Sequence, residues 1–292
     1  MIKKILLVNP PFPMSERYCK SFESVGTIAP KLGLLYIASA LEGAGYEVHF
    51  LDSVLEGHDI DKALKEVVKI SPDIVGISTE TPNMRRSTLF SKKIKDLLNI
   101  PIIFGGPHPT LLPKEVLSHD SIDYVVIGEG DVSIVEMVNV LNSDSPAEQI
   151  GNIKGIGYKI NGKTVITQQS GRNRNLDNIK FPAYHLIDIN RYKPTPHQYR
   201  RLPVASVITS RGCPFSCTFC SSSEIFKRKY ILRSVDNVIE ELMYLEERFG
   251  VKEINFWDDI WGLSKHWVED FCNKLVKEKI DITWSCSCRA DT

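Results

Sequence analysis

Cys213-Pro214-Phe215-Ser216-Cys217-Thr218-Phe219-Cys220 places three thiols within eight residues, spaced Cys-x3-Cys-x2-Cys. They follow an apolar run, Val204 to Ile208, and the dipeptide Arg211-Gly212. The thiolate is the ligand form of cysteine, and sulfur selects soft metals and iron–sulfur clusters. A closed structural zinc site takes four protein ligands, usually from two separated knuckles. Three ligands on one loop leave a position open, which suits chemistry better than structure. Structural zinc with Cys286 or Cys288 as fourth ligand stays open as an alternative. A disulfide framework is disfavoured, because seven cysteines is an odd number and a chain of 292 residues needs no staples. Cys19 and Cys272 read as ordinary small residues, Cys272 beside the apolar stripe of a helix.

Downstream of the thiols, helix and strand alternate. Ser234 is placed to cap a helix whose apolar face is Val235, Val238, Ile239, Leu242, Leu245 and Phe249, and Gly250 ends it. Glu253 to Trp257 reads as a second strand, running into Asp258-Asp259. Trp267, Val268, Phe271, Leu275 and Val276 mark a second helix, and Ile282 to Ser287 a third strand ending near Arg289. Trp257, Trp261 and Trp267 read as packing residues rather than a stacking box. A β-α-β-α-β series of this kind is consistent with the start of a barrel of β/α units. The paired aspartates read either as a cofactor contact or as a solvated or metal-binding acidic turn.

In that setting the cysteine loop closely resembles the cluster-binding loop of the radical S-adenosylmethionine enzymes. The resemblance implies that Cys213, Cys217 and Cys220 hold three irons of a [4Fe–4S] cluster, whose fourth iron chelates the amino and carboxylate groups of S-adenosylmethionine. Phe219, the aromatic residue before the last cysteine, fits the same motif. Phe256-Trp257-Asp258-Asp259 looks like the Phe-x-Asp-Asp variant of cobalamin-linked members, which implies that Asp258 and Asp259 meet the S-adenosylmethionine amino group. A carboxylate suits an ammonium there. By the same resemblance Arg289 would meet a carboxylate or ribose. Such a barrel usually has six β/α units, and a βαβ unit needs about 30 residues. The chain stops at Thr292, after the third strand, so the expectation is a fragment or a barrel completed by a partner chain.

The first ~140 residues also alternate strand and helix, with apolar strand runs at Ile5–Val8, Val48–Leu51, Ile74–Ile77, Ile102–Phe104 and Tyr124–Ile127. Short apolar strands between amphipathic helices imply a parallel sheet covered on both faces. The expected fold is α/β: a doubly wound, flavodoxin- or Rossmann-like sheet of five strands, followed by the first half of the (β/α)6-type barrel. Ligands in open α/β sheets bind beyond the carboxyl ends of the strands. The residues there are Asn9-Pro10-Pro11, Ser78-Thr79-Glu80-Thr81, Gly105-Gly106-Pro107-His108-Pro109-Thr110 and Gly128-Glu129-Gly130-Asp131. Glycine lets a backbone approach a ligand closely. Together these loops favour a flat, bulky ligand over plain turns. No Gly-x-x-x-x-Gly-Lys-Ser/Thr loop is present, and no Gly-x-Gly-x-x-Gly follows the first strand.

This pattern resembles the cobalamin-binding domain that precedes many radical S-adenosylmethionine domains. The features that carry the resemblance are Asn9-Pro10-Pro11, Pro30-x-x-Gly33-Leu34, Gly105-Gly106-x-His108-x-Thr110 and Gly128-Glu129-Gly130. It implies a corrin ring across the loop edge, touching Asn9, Pro10, Ser78, Thr79, Gly105, Gly106, His108, Gly128, Glu129 and Gly130. The Asp-x-His-x-x-Gly setting of a cobalt-ligating histidine is absent, so His108 is assigned hydrogen bonding or loop structure, and cobalt no imidazole ligand.

The expected boundaries are a cobalamin-binding domain at 1–142, a hairpin and linker at 143–203, and an incomplete radical S-adenosylmethionine domain at 204–292. Asn161-Gly162 between Ile156–Ile160 and Thr164–Thr167 reads as a type I′ hairpin turn. Formal net charge is zero, which supports neither a nucleic-acid nor a membrane-surface partner. No apolar stretch approaches the ~20 residues of a membrane span. The N-terminus runs straight into a strand without a cleavage site, so a reducing cytoplasm is expected. The resemblance further implies reductive cleavage of S-adenosylmethionine to a 5′-deoxyadenosyl radical, hydrogen abstraction from an unactivated carbon, and methyl donation from methylcobalamin. It also implies a small-molecule or lipid-like substrate and an electron donor such as flavodoxin or ferredoxin. Cyclases and ring-contracting enzymes share both domains, and a non-enzymatic zinc- or cobalamin-binding protein is the further alternative.

Overall fold

A computed structural model describes residues 1–18, 26–171, 173–195 and 198–291, so Cys19 lies outside the described residues. The chain divides into two compact units, one of residues 1–24, 33–172 and 182–187, the other of residues 25–32, 173–181 and 188–292.

In the first unit five strands run parallel: β1 (Lys4–Asn9), β2 (Glu47–Asp52), β3 (Ile74–Ser78), β4 (Ile102–Gly105) and β5 (Tyr124–Val126). Their order is β2-β1-β3-β4-β5, the flavodoxin-like winding that the sequence pattern implied. The helices between them are α1 (Met14–Arg17), α2 (Leu32–Gly43), α3 (Ile60–Ile70), α4 (Met84–Leu98), α5 (Pro107–Leu111) and α6 (Pro113–Leu117), followed by α7 (Ser133–Leu141) and α8 (Pro146–Gln149). The two-residue strand period sorts the core. Leu6, Val8, Val75, Ile77, Ile102 and Phe104 face one layer, with Ala63, Val67, Phe90 and Ile94 of α3 and α4. Ile5, Leu7, Ile74 and Ile103 face the other, with Leu34, Ala38 and Leu41 of α2 and Met137 of α7. Both faces are covered, which is why these strands read as near-continuous apolar runs.

The hairpin is present as β6 (Ile156–Ile160) and β7 (Lys163–Ile166), and positive φ at both Asn161 and Gly162 makes the turn type I′. It pairs antiparallel with β5 and extends the sheet to seven strands, a pairing nothing in the sequence pattern announced.

The second unit holds a three-stranded parallel sheet, β8 (Val204–Val207), β11 (Glu253–Phe256) and β12 (Thr283–Ser285), with β11 in the middle. A two-stranded antiparallel ladder, β9 (Ser210–Arg211) with β10 (Ile231–Leu232), brackets the cysteine loop and the short α9 (Ser222–Phe226). Helix α10 (Val235–Phe249) is capped by Ser234, whose hydroxyl accepts from the Asn237 N–H, and is closed by Gly250 in the left-handed conformation. Helix α11 (Lys265–Lys277) follows β11. Trp261, Trp267 and Trp284 pack with Phe256 and Phe271 in one aromatic cluster, while Trp257 is half exposed. Cys272 is partly rather than fully buried. Among the described residues no helix is long and apolar enough to cross a membrane.

Candidate functional site

In the second unit the chain leaves β8 at Val207 and meets the cysteines six residues later. Three contacts fix that path. Asp258, just past the end of β11, is buried, and its carboxylate accepts from the Thr209 N–H at 2.6 Å, the Thr209 hydroxyl and the Ser210 hydroxyl at 2.7 Å. Burial pushes the Asp258 carboxyl above its ordinary range, against the hydrogen bonds from Thr209 and Ser210. Asp259, its exposed neighbour, accepts from the Gly212 N–H at 3.1 Å. Two adjacent carboxylates thus have opposite fates, one turned into the strand ends and one left at the surface.

Beyond this root, Cys213 and Cys217 are partly buried, Cys220 is exposed, and all three are free thiols. Phe219 is 92% exposed, which no packing role explains. Arg289, past the end of β12, stacks its guanidinium over the Phe215 ring at 4.1 Å, donates to the Cys217 sulfur at 3.9 Å and pairs with Asp291 at 2.7 Å. Asp258 and Asp259 thus hold the segment between β8 and the thiols, while Arg289 reaches Cys217 and Phe215 of the cysteine loop. Burial raises the Cys286 thiol, with Cys288 and Asp258 adding to it. Among the described residues no three His, Cys, Asp or Glu side chains converge on one metal ion. The donor set fits a cluster nonetheless, since in a cluster each thiolate takes its own iron.

The first unit gathers its loops at the carboxyl edge of the sheet. Gly106 adopts φ 104° and ψ −170°, and a Cβ there would lie 2.9 Å from the Thr79 carbonyl oxygen. Only glycine fits, so the β4 loop rests directly on the β3 loop. The segment read as an irregular loop contains α5, which carries His108 into the interior. His108 is 4% exposed, its main-chain N–H donates to the Thr79 carbonyl, and Nδ1 lies 3.0 Å from the Thr81 hydroxyl. Its Nε2 and the buried Thr79 hydroxyl have no hydrogen-bond partner among the described residues. Thr110 bonds the Gly106 carbonyl at 2.8 Å and accepts from the Gly128 N–H at 2.9 Å, lacing the β4 and β5 loops together. Gly128 has positive φ and room for a Cβ without clash; Gly130 is closely packed against Val126 and Ile37. Asn9 is buried, and its amide donates to Asp52 at 2.7 Å, joining the ends of β1 and β2. The Glu115 carboxylate stands 3.6 Å from His108 Nε2, and a glycine-lined edge with the buried Thr79 hydroxyl still open fits a broad ligand that supplies hydrogen bonds of its own.

Sequence reasoning gave Thr209, Ser210 and Phe215 no role, while Thr110 entered only as part of the Gly105-Gly106-x-His108-x-Thr110 motif. Small hydroxyl residues beside a motif carry no signal of their own. Only the position of Thr209 and Ser210 just past the end of β8 could have marked them.

The B12 binding domain family matches residues 21–138 and the Radical SAM superfamily residues 207–291. An uncharacterised methyltransferase of Pyrococcus horikoshii is 37% identical over 293 residues, covering 100% of this chain and 61% of its own length. The anaerobic magnesium-protoporphyrin IX monomethyl ester cyclase of Synechocystis sp. is 26% identical over 99% of this chain and 56% of its own. The chain thus spans a little over half the length of these curated relatives. The solved structure of the cobalamin-dependent S-adenosylmethionine radical enzyme OxsB, with aqua-cobalamin and S-adenosylmethionine bound, matches with a TM-score of 0.77. That match is at 20% identity and covers 99% of this chain and 39% of OxsB, a likeness of fold.

Proposed function

Because this chain belongs to the radical S-adenosylmethionine enzymes that carry a B12 binding domain ahead of the radical domain, we propose that it is the cofactor-binding part of a methyltransferase acting on an unactivated carbon of a small molecule. The observation that carries this reading is the triad of free thiols on one loop, with the exposed Asp259 and the Arg289 guanidinium at the same strand ends.

When bound, the cluster supplies an electron for reductive cleavage of S-adenosylmethionine, and the corrin supplies a carrier for the methyl group. This chain's own residues bind and orient. Cys213, Cys217 and Cys220 each hold one iron. Asp259 offers an acceptor to the ammonium of S-adenosylmethionine, and Arg289 a donor to its carboxylate or ribose. Phe219, exposed on the loop, would contact S-adenosylmethionine. In the first unit Gly105, Gly106, Gly128, Glu129 and Gly130 let the corrin lie against backbone. Pro10, Ser78, Thr79 and His108 lie at that edge, His108 as a hydrogen-bonding group beside Glu115 rather than a cobalt ligand. The electron comes from a flavodoxin- or ferredoxin-like donor, and the compartment is the cytoplasm.

A second reading, a cyclase that uses the same cofactors without net methylation, is favoured by the 26% identity to the protoporphyrin ester cyclase over nearly the whole chain. The test is anaerobic incubation of the reconstituted full chain with S-adenosylmethionine, hydroxocobalamin and a low-potential reductant, followed by quantification of 5′-deoxyadenosine. Wild type should form it and the Cys217→Ala variant should not. A fully loaded cluster with no 5′-deoxyadenosine would refute the radical reading.

A further inference from the structure

Asp258 and Asp259 are adjacent, yet only Asp258 is turned inward. Its two carboxylate oxygens accept from three donors, the Thr209 N–H, the Thr209 hydroxyl and the Ser210 hydroxyl. Those two residues lie at the root of the cysteine loop, three and four positions before Cys213. The surroundings hold the same two residues from the other side. The Arg233 N–H donates to the Thr209 carbonyl at 2.9 Å, and the Arg233 guanidinium donates to the Ile208 carbonyl at 2.7 Å. Ser210 also pairs with Leu232 in the β9–β10 ladder. A carboxylate that is buried and already accepting three hydrogen bonds has little capacity left for an external ammonium. Asp259, by contrast, is exposed and accepts one main-chain N–H.

We propose that Asp258 is a positioning residue that clamps the root of the cysteine loop, while Asp259 alone of the pair faces S-adenosylmethionine. The assignment of Asp259 rests on the radical S-adenosylmethionine reading; the clamp itself does not. Asp258 crosses from the end of β11 to the segment following β8, so it sets the register in which Cys213 leaves the sheet. The adjacent aspartates then divide the labour: the first fixes the loop that carries the cluster, and the second meets the cofactor bound to that cluster.

The clamp is measured first without any cofactor, by amide hydrogen exchange of the full cluster-free chain. In Asp258→Ala the amides of residues 209–213 should exchange about tenfold faster or more, the loss expected for one charge-assisted hydrogen bond. Helix α10 should keep its wild-type protection, which separates a local release from global unfolding. Asp258→Asn should recover most of the protection, because its carbonyl can still accept the Thr209 N–H and the two hydroxyls can reorient. Unchanged exchange at 209–213 in Asp258→Ala would overturn the clamp. The second measurement uses the reconstituted chain. Asp259→Ala should take up wild-type iron but bind S-adenosylmethionine about tenfold or more weakly. Asp258→Ala should take up less iron and show a broadened reduced-cluster EPR signal, while the loaded fraction keeps its S-adenosylmethionine affinity. Full iron with lost affinity in Asp258→Ala would place Asp258 on the cofactor and overturn the division. If wild type itself took up no cluster, the family reading would fall, and the exchange result would still decide the clamp.

Discussion

Glu241→Gln is the most demanding stability test of the second unit. Arg233 and Glu241 are 4% and 0% exposed, and the guanidinium donates to the carboxylate at 2.5 Å. Arg233 also donates to the Ile208 carbonyl at 2.7 Å and the Asn237 side chain at 2.7 Å. It joins the segment just after β8 to α10. Replacing the carboxylate by an amide keeps the shape but takes a charged partner from a buried guanidinium, which costs about 3–5 kcal/mol. With an ordinary urea slope, the unfolding midpoint should fall by roughly 2 M. All four tryptophans, Trp257, Trp261, Trp267 and Trp284, lie in the second unit, so indole fluorescence follows that unit alone. The double variant Arg233→Met, Glu241→Met removes both charges and should cost less than the sum of the two single changes, with the orphaned Ile208 carbonyl accounting for about 1–3 kcal/mol of what remains. A single-variant shift under about 1 kcal/mol, or strict additivity, would refute the claim that a desolvated ion pair holds this layer together.

Two further outcomes are expected. Gly106→Ala forces a side chain into a backbone region that is essentially glycine-only, 2.9 Å from the Thr79 carbonyl oxygen. It should destabilise the first unit by about 2–4 kcal/mol in far-UV circular dichroism melts, and weaken corrin uptake in an absorbance titration. Asp73 is held below its ordinary carboxyl range by the Lys4 N–H and then the Lys3 N–H, which it accepts at 2.8 and 2.7 Å. A depressed carboxyl stabilises the fold above the unfolded value of 3.8, and that contribution fades as pH falls through the folded value. The wild-type advantage over Asp73→Asn should therefore be complete at pH 6 and shrink below about pH 4; an advantage that grows with acidity would contradict the assignment.

Much of the fold was legible because its signals are local. Apolar runs of strand length, caps such as Ser234 and stops such as Gly250 mark elements without knowledge of their partners. The spacing of Cys213, Cys217 and Cys220 works in the same way, since one loop carries all three thiols. What stayed hidden depends on pairing at a distance. Asn161-Gly162 announced a hairpin but not its docking on β5, because an edge strand advertises neither neighbour nor side. The bond from the Asn9 amide to Asp52, 43 residues away, has no local signal either. Asp258 and Asp259 look equivalent in a sequence, and only the strand geometry decides which turns inward. The helix at 107–111 was masked by its two prolines, although Pro107 stands at the N1 position, where proline starts a helix as readily as it breaks one elsewhere.

The most direct test of the whole account is anaerobic reconstitution of the chain with iron and sulfide, followed by metal and sulfide counting and EPR of the reduced protein with and without S-adenosylmethionine. The expected result is about four irons and four sulfides per chain, a signal that shifts on adding S-adenosylmethionine, and loss of both in Cys217→Ala. Zinc without sulfide, or a cluster indifferent to S-adenosylmethionine, would contradict it.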